Sequence, residues 1–232
     1  MVLQRDTKLK VWGWADIGEK ISLSFNGKKF KTVAGDDGKW LIVLPAMKAG
    51  GPYTMTLNGK NIITLNDILI GDVYFCSGQS NMVLPMERLK EYYPDEIKDD
   101  KFPDIRNFFV ATKSDVTKKY EDLPKGEWKS AMGQGLMEFG GVTYFFAKKL
   151  YQKYKVPIGI INASVGGTPI EAWMSEDAFA EFPNVQSQIK KFRDTAYMNS
   201  PNSRAAPPAI QSTQSSHIPK TWHKFWMPGY WA

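Results

Sequence analysis

An α/β fold preceded by a small all-β segment is what these 232 residues predict, and three observations predict it. Up to about residue 68, short alternating stretches follow one another closely, separated by turns rich in Asn and Gly. Such spacing is the mark of a small β-sandwich. Farther on, residues 141–154 show helical spacing and run directly into the apolar stretch 157–164. A helix feeding an apolar strand is half of a βαβ unit, the building block of a parallel sheet. Between these regions, the apolar Val73-Tyr74-Phe75-Cys76 ends in the tight polar stretch Ser77-Gly78-Gln79-Ser80.

The first strands read clearly. Leu9 to Trp14 alternates, and Ile21 to Phe25 puts Ile21, Leu23 and Phe25 on one face. Asn26-Gly27 follows at once, a hairpin turn in which both residues tolerate positive φ. Phe30 to Val33 returns, Asp36-Asp37-Gly38 turns again, and Trp40 to Leu44 and Tyr53 to Leu57 continue the pattern. Gly50-Gly51-Pro52 reads as a breaker between strands. Asn58-Gly59 leads to Ile62 to Leu65.

After Asp67 the pattern changes. A buried-type strand begins near Val73, and Ile105 to Ala111 is another candidate strand. Val142, Phe145, Phe146, Leu150 and Tyr154 give the helix at 141–154 its expected apolar face. Residues 176–196 are expected to be helical, with a break near Pro183. Residues 199–220 have the Ser, Pro, Asn and Ala content of a linker. The aromatic stretch Trp222 to Trp231 then resembles the first strand of another domain. The expected domains are therefore 1–68, a β-sandwich; 69–198, the first part of an α/β domain; 199–220, a linker; and 221–232, the opening of a further β domain.

Composition narrows the classes of function. Hydrophobic residues make up 43%, enough for a sizeable core. The net charge is +6, but its 30 basic and 24 acidic residues are interspersed, so no nucleic-acid surface is expected. No apolar run reaches the roughly 18 residues of a membrane span. Cys76 is the single cysteine, read as a small core residue, which excludes an internal disulfide and a Cys-built metal cage. No metal or cofactor is expected, because neither a phosphate loop nor a dinucleotide fingerprint is present.

Ser80 is the candidate for chemistry. A strand that ends in a tight turn holds a hydroxyl at the carboxyl edge of a parallel sheet, where open α/β folds bind ligands. Gly78 removes bulk beside it, and free backbone N–H groups after the turn suit a developing oxyanion. Met82 stands where the Gly-x-Ser-x-Gly elbow would have its last glycine, so the turn is of another kind. A serine after Gly-x is, by itself, more often an ordinary turn residue. A second strand-end turn, Gly166-Gly167-Thr168-Pro169, raises its standing, because paired glycines allow a backbone N–H to approach a ligand. Asn162-Ala163-Ser164 is formally a glycosylation sequon, discounted because it falls within an apolar strand.

Five stretches carry a family resemblance in order along the chain: Met1-Val2-Leu3-Gln4-Arg5, Gly71-Asp72-Val73, Cys76-Ser77-Gly78-Gln79-Ser80-Asn81-Met82, Tyr144-Phe145-Phe146-Ala147, and Gly166-Gly167-Thr168-Pro169-Ile170-Glu171-Ala172-Trp173. Together they resemble the sialate O-acetylesterase family, a branch of the SGNH hydrolases. The resemblance implies a flavodoxin-like α/β/α catalytic domain and an O-acetylated sugar or oligosaccharide as substrate. It implies that Ser80 is the nucleophile, and that the oxyanion is held by the N–H of Ser80 with that of Gly166 or Gly167. Glu171 is a candidate for orienting a sugar hydroxyl, with a purely structural role as its even rival. Trp173 is read as a core residue.

The departures from the family pattern also carry information. Val83 stands where a carboxylate usually follows, and neither the later Gln-Gly-Glu-Ser-Asn block nor a late Asp-x-x-His block occurs in these residues. The only histidines, His217 and His223, lie in the linker and the aromatic tail. The chain is therefore expected to stop before the His/Asp block and to be nearly inactive alone. The alternative reading is a carbohydrate-binding or structural module, or a pseudoenzyme. Met1 to Arg5 lacks a signal-peptide layout, while the resemblance implies a periplasmic or secreted protein.

Overall fold

The structure is a computed structural model that describes residues 1–98, 102–112, 120 and 122–199. Strands β1 (Val2–Gln4), β2 (Leu9–Trp14), β3 (Lys20–Phe25), β4 (Lys28–Val33), β5 (Lys39–Leu44), β6 (Gly50–Asn58) and β7 (Ile62–Gly78) come first. Three short helices follow, α1 (Ser80–Val83), α2 (Met86–Leu89) and α3 (Pro94–Lys98). Then come β8 (Phe102–Phe109), β9 (Trp128–Ala131), α4 (Gly133–Met137), α5 (Gly141–Tyr154) and β10 (Ile158–Ser164). Two 3-10 turns, Ile170–Trp173 and Glu176–Phe179, precede α6 (Pro183–Arg193) and α7 (Thr195–Asn199).

The mixed α/β class is as expected. Strands β4-β3-β6-β7-β10-β8-β9 form one sheet in that order, with β1 parallel to β7, and β2 pairs with β5 as a separate ribbon. β10 and β8 run parallel, with α5 immediately before β10. The 17 residues of β7 run from the N-terminal strands to Gly78, so the boundary expected after residue 68 falls inside a strand. Gly50-Gly51-Pro52 also differs from expectation. It lies inside β6, where the pairing with β7 shifts register between Gly50 and Tyr53, and the turn-forming residues act as a bulge. At the β3–β4 hairpin, Asn26 and Gly27 have φ of 47° and 70°, the primed-turn geometry that their pairing requires.

Two compact units divide the described residues: Met1–Cys76 with those of 84–109 and Glu127–Asn162, and Ser77–Val83 with those of 110–126 and 163–199. The first holds two apolar clusters. In one, Leu9, Ile42 and Leu44 of the ribbon join Leu23, Phe25, Met55, Ile68 and Ile70 of the sheet. In the other, Tyr144 and Ala147 of α5 meet Ile105, Ile158 and Ile160. Half-buried Cys76 packs on this second cluster, and burial raises its thiol pKa.

The buried face of α5 matches its expected apolar face only in part: Phe145 and Leu150 pack, half-buried, against the core. Val142, Phe146 and Tyr154 are exposed, whereas Gly141, Thr143, Tyr144 and Ala147 are buried. Small Gly141 and Ala147 share this face with the fully buried Tyr144, and a Cβ on Gly141 would lie 2.4 Å from Leu89 Cδ1, so the Leu89 side chain would have to shift to admit one.

A buried charge fastens β7 to β8. Arg106, whose side chain is 9% exposed, donates to both carboxylate oxygens and the carbonyl of Asp67, and to Pro103 O. The hydrogen bond from Arg106 holds the Asp67 carboxyl below the usual carboxylate range. A lowered folded-state pKa means the contribution is complete above the unfolded pKa and lost as pH falls through the folded one. Asp67→Asn suits the test, because Asp67 has φ 57° and Asn also tolerates that conformation. It is expected to cost about 1 kcal/mol at pH 7, at the low end for a charged pair because Asp67 is 63% exposed. Denaturation curves of variant and wild type should converge in strong acid; a constant gap across pH would remove the charge from the account.

Candidate active site

The second unit contains both strand-end turns singled out in the sequence. β7 ends at Gly78, and Ser80 opens the single turn α1, with Met82 N donating to Gln79 O at 3.0 Å. Gly78 has φ 150°, and a Cβ there would lie 2.8 Å from Met82 Cγ, so both conformation and space favour glycine. Ser80 is exposed, and its hydroxyl makes no hydrogen bond to a described residue.

The second turn begins where β10 ends at Ser164. Val165 N donates to Gly78 O at 3.0 Å, stitching the two strand ends together. The Gln79 side-chain amide donates to Thr168 O, a second link between the turns. A Cβ on Gly166 would lie 3.5 Å from Ser80 Cβ and 3.8 Å from Ser80 N, so the two residues are immediate neighbours. Gly167 has φ 78° with open space around it, a position held by conformation and not by crowding.

Thr168 anchors this loop. It is 1% exposed, donates from Oγ1 to Val165 O at 2.9 Å and accepts from Trp173 Nε1 at 2.9 Å. Trp173, expected as a core residue, is half-buried and donates to this loop. Glu171 sits half-buried in the 3-10 turn Ile170–Trp173. Asn162 of the sequon is 1% exposed, which leaves a glycan no room. His217 and His223, the expected linker beyond Asn199, which ends α7, and the aromatic tail all lie outside the described residues.

The structure brings Ser80 and Gly166 together, with Gly167 next in the same turn. Reasoning from sequence alone missed Gln79 and Thr168 as the links that hold the turns in register. The signal available was a small hydroxyl residue after paired glycines, five residues before a Trp whose N–H needs a partner. Among the described residues, no group of three or more His, Cys, Asp or Glu side chains is placed to hold a metal.

A profile of the family described as carbohydrate esterase, sialic acid-specific acetylesterase, matches residues 70–199, which contain both turns. The chain is 30% identical over 224 residues to a sialate O-acetylesterase of Rattus norvegicus, covering 84% of this chain and 41% of that protein. The Homo sapiens sialate O-acetylesterase is 30% identical over 194 residues, covering 75% of this chain and 37% of that protein. A carbohydrate acetylesterase from Xanthomonas citri superposes with a TM-score of 0.73 at 37% identity, covering 79% of this chain and 42% of that one. The chain thus spans about two fifths of the length of these relatives.

Proposed function

This chain belongs to the family of sialic acid-specific carbohydrate acetylesterases, and from that premise we propose that it hydrolyses acetyl esters on sugars with Ser80 as nucleophile. The observation that carries the reading is the joining of the Ser80 and Gly166 turns inside the family match. Ser80 Oγ attacks the acetyl carbonyl, and the N–H groups of Ser80 and of Gly166 or Gly167 hold the oxyanion. The sugar oxygen leaves with the proton taken from Ser80, and water then cleaves the acetyl-enzyme to acetate. Glu171 is proposed to orient a sugar hydroxyl. No metal or cofactor is needed for these steps.

A serine needs a positioned base, and the described residues contain no histidine. We therefore assign the base to sequence outside them. On this reading the natural protein is periplasmic or secreted. No helix among the described residues is long and apolar enough to cross a membrane. Acetate release tests the activity. The naturally encoded protein should free acetate from O-acetylated N-acetylneuraminic acid or from acetylated xylo-oligosaccharides, and a serine-directed phosphonate should label Ser80. Failure on every acetylated sugar, or labelling elsewhere, would refute the proposal.

A further inference from the structure

In the first unit lies a cavity of about 310 Å³, separate from the two turns. It falls at the small end of ligand pockets, which span roughly 300–1,000 Å³, a size for one sugar ring and not a chain. Buried Phe25 and Leu44 and half-buried Phe30 and Tyr53 line it. Phe25 and Tyr53 meet edge to face, with centroids 5.7 Å apart, which fixes the Tyr53 ring. Exposed Asn26 and Lys28, from the β3–β4 hairpin, line it as well.

The charge at this cavity is one-sided. None of its eleven lining residues is acidic, and two are lysines. Lys48 is paired with Asp6 at 2.7 Å, while Lys28 has no ion pair with a described residue. The neighbouring Lys29 and Lys31 fit the ordinary need of an edge strand to resist pairing. Lys28 differs from them in lining the cavity.

We propose that this cavity is a non-catalytic site for a single carboxylated sugar ring. The C–H face of the sugar would lie on the electron-rich face of an aromatic side chain, its carboxylate against Lys28 and a hydroxyl on Asn26. The choice of a sugar rests on the carbohydrate reading of the chain; the place and the charge preference rest on the cavity. Such a site would keep an acidic glycan on the protein between encounters with Ser80.

Glucuronic acid and glucose differ at the carboxylate and are simple probes. In NMR titrations of the 232-residue chain, glucuronic acid should shift the Tyr53 and Phe30 ring signals and bind at least about 5-fold more tightly than glucose. Lys28→Met, an exposed change, should remove that preference, and Tyr53→Leu should weaken both sugars. Neither variant should alter acetate release from a small ester by the natural protein. Equal affinity for the two sugars, no ring shifts, or full glucuronate binding by Lys28→Met would overturn the site. Loss of esterase activity with glucuronate binding retained would instead count against Ser80 chemistry.

Discussion

Replacing Ser80 with alanine is expected to lower hydrolysis of p-nitrophenyl acetate by the naturally encoded protein about 1,000-fold or more. The magnitude follows from the loss of covalent catalysis, since alanine offers no oxygen to form the acetyl-enzyme. Oxyanion donors and binding contacts survive, so a residual rate above background is part of the expectation. Stability should barely change. Ser80 is exposed and its hydroxyl bonds to no described residue, so truncation strands no buried partner. Thermal melting within a degree or two of wild type would separate lost chemistry from lost structure. An alanine variant that keeps most of its activity would exclude Ser80 as nucleophile.

Much of the fold was legible because local rules and tertiary structure agree. Alternation located β2 to β5, and Asn26-Gly27 set the hairpin between β3 and β4. Positions fail to read where a long-range contact overrules the local pattern. Gly50-Gly51-Pro52 looks like a strand terminator, yet the pairing of β6 with β7 absorbs it as a bulge. The α5 face reads correctly at Phe145 and Leu150 and fails at Val142 and Phe146, where counting apolar residues overlooks the buried Gly141 and Ala147. A helix approaches closely on its small side chains, and hydropathy alone does not register that.

The candidate site was legible in its parts and not in its joints. Ser80 and Gly166-Gly167 stand out because each turn follows an apolar strand. What holds them together does not stand out. The Val165 N–H on Gly78 O and the Gln79 amide on Thr168 O connect residues nearly ninety positions apart. Backbone acceptors carry no residue-type signal, so such links emerge only from coordinates. Thr168 is the informative exception, because a buried hydroxyl requires partners and finds them in Val165 O and Trp173 Nε1.

Gly166→Val is the second substitution expected to act strongly, with kcat lowered about 100-fold and KM little changed. The geometry separates three variants. At position 166 an added Cβ would meet Ser80 Cβ at 3.5 Å, an ordinary contact, so Gly166→Ala should lose only a few-fold. Valine adds two methyl groups beyond that Cβ, and the nearest thing to displace is Ser80 itself. A shift of about 1 Å in a reacting group is enough for a 100-fold loss. Position 167 has no neighbour within 4 Å but has φ 78°, so Gly167→Ala should cost about 1–2 kcal/mol of conformational strain with less effect on kcat. The two glycines thus act differently, one by its closeness to Ser80 and the other by its backbone. Steady-state kinetics on a small acetyl ester, with melting curves for each variant, distinguish these outcomes. Wild-type kcat in Gly166→Val would show that the turn serves only the architecture of the loop.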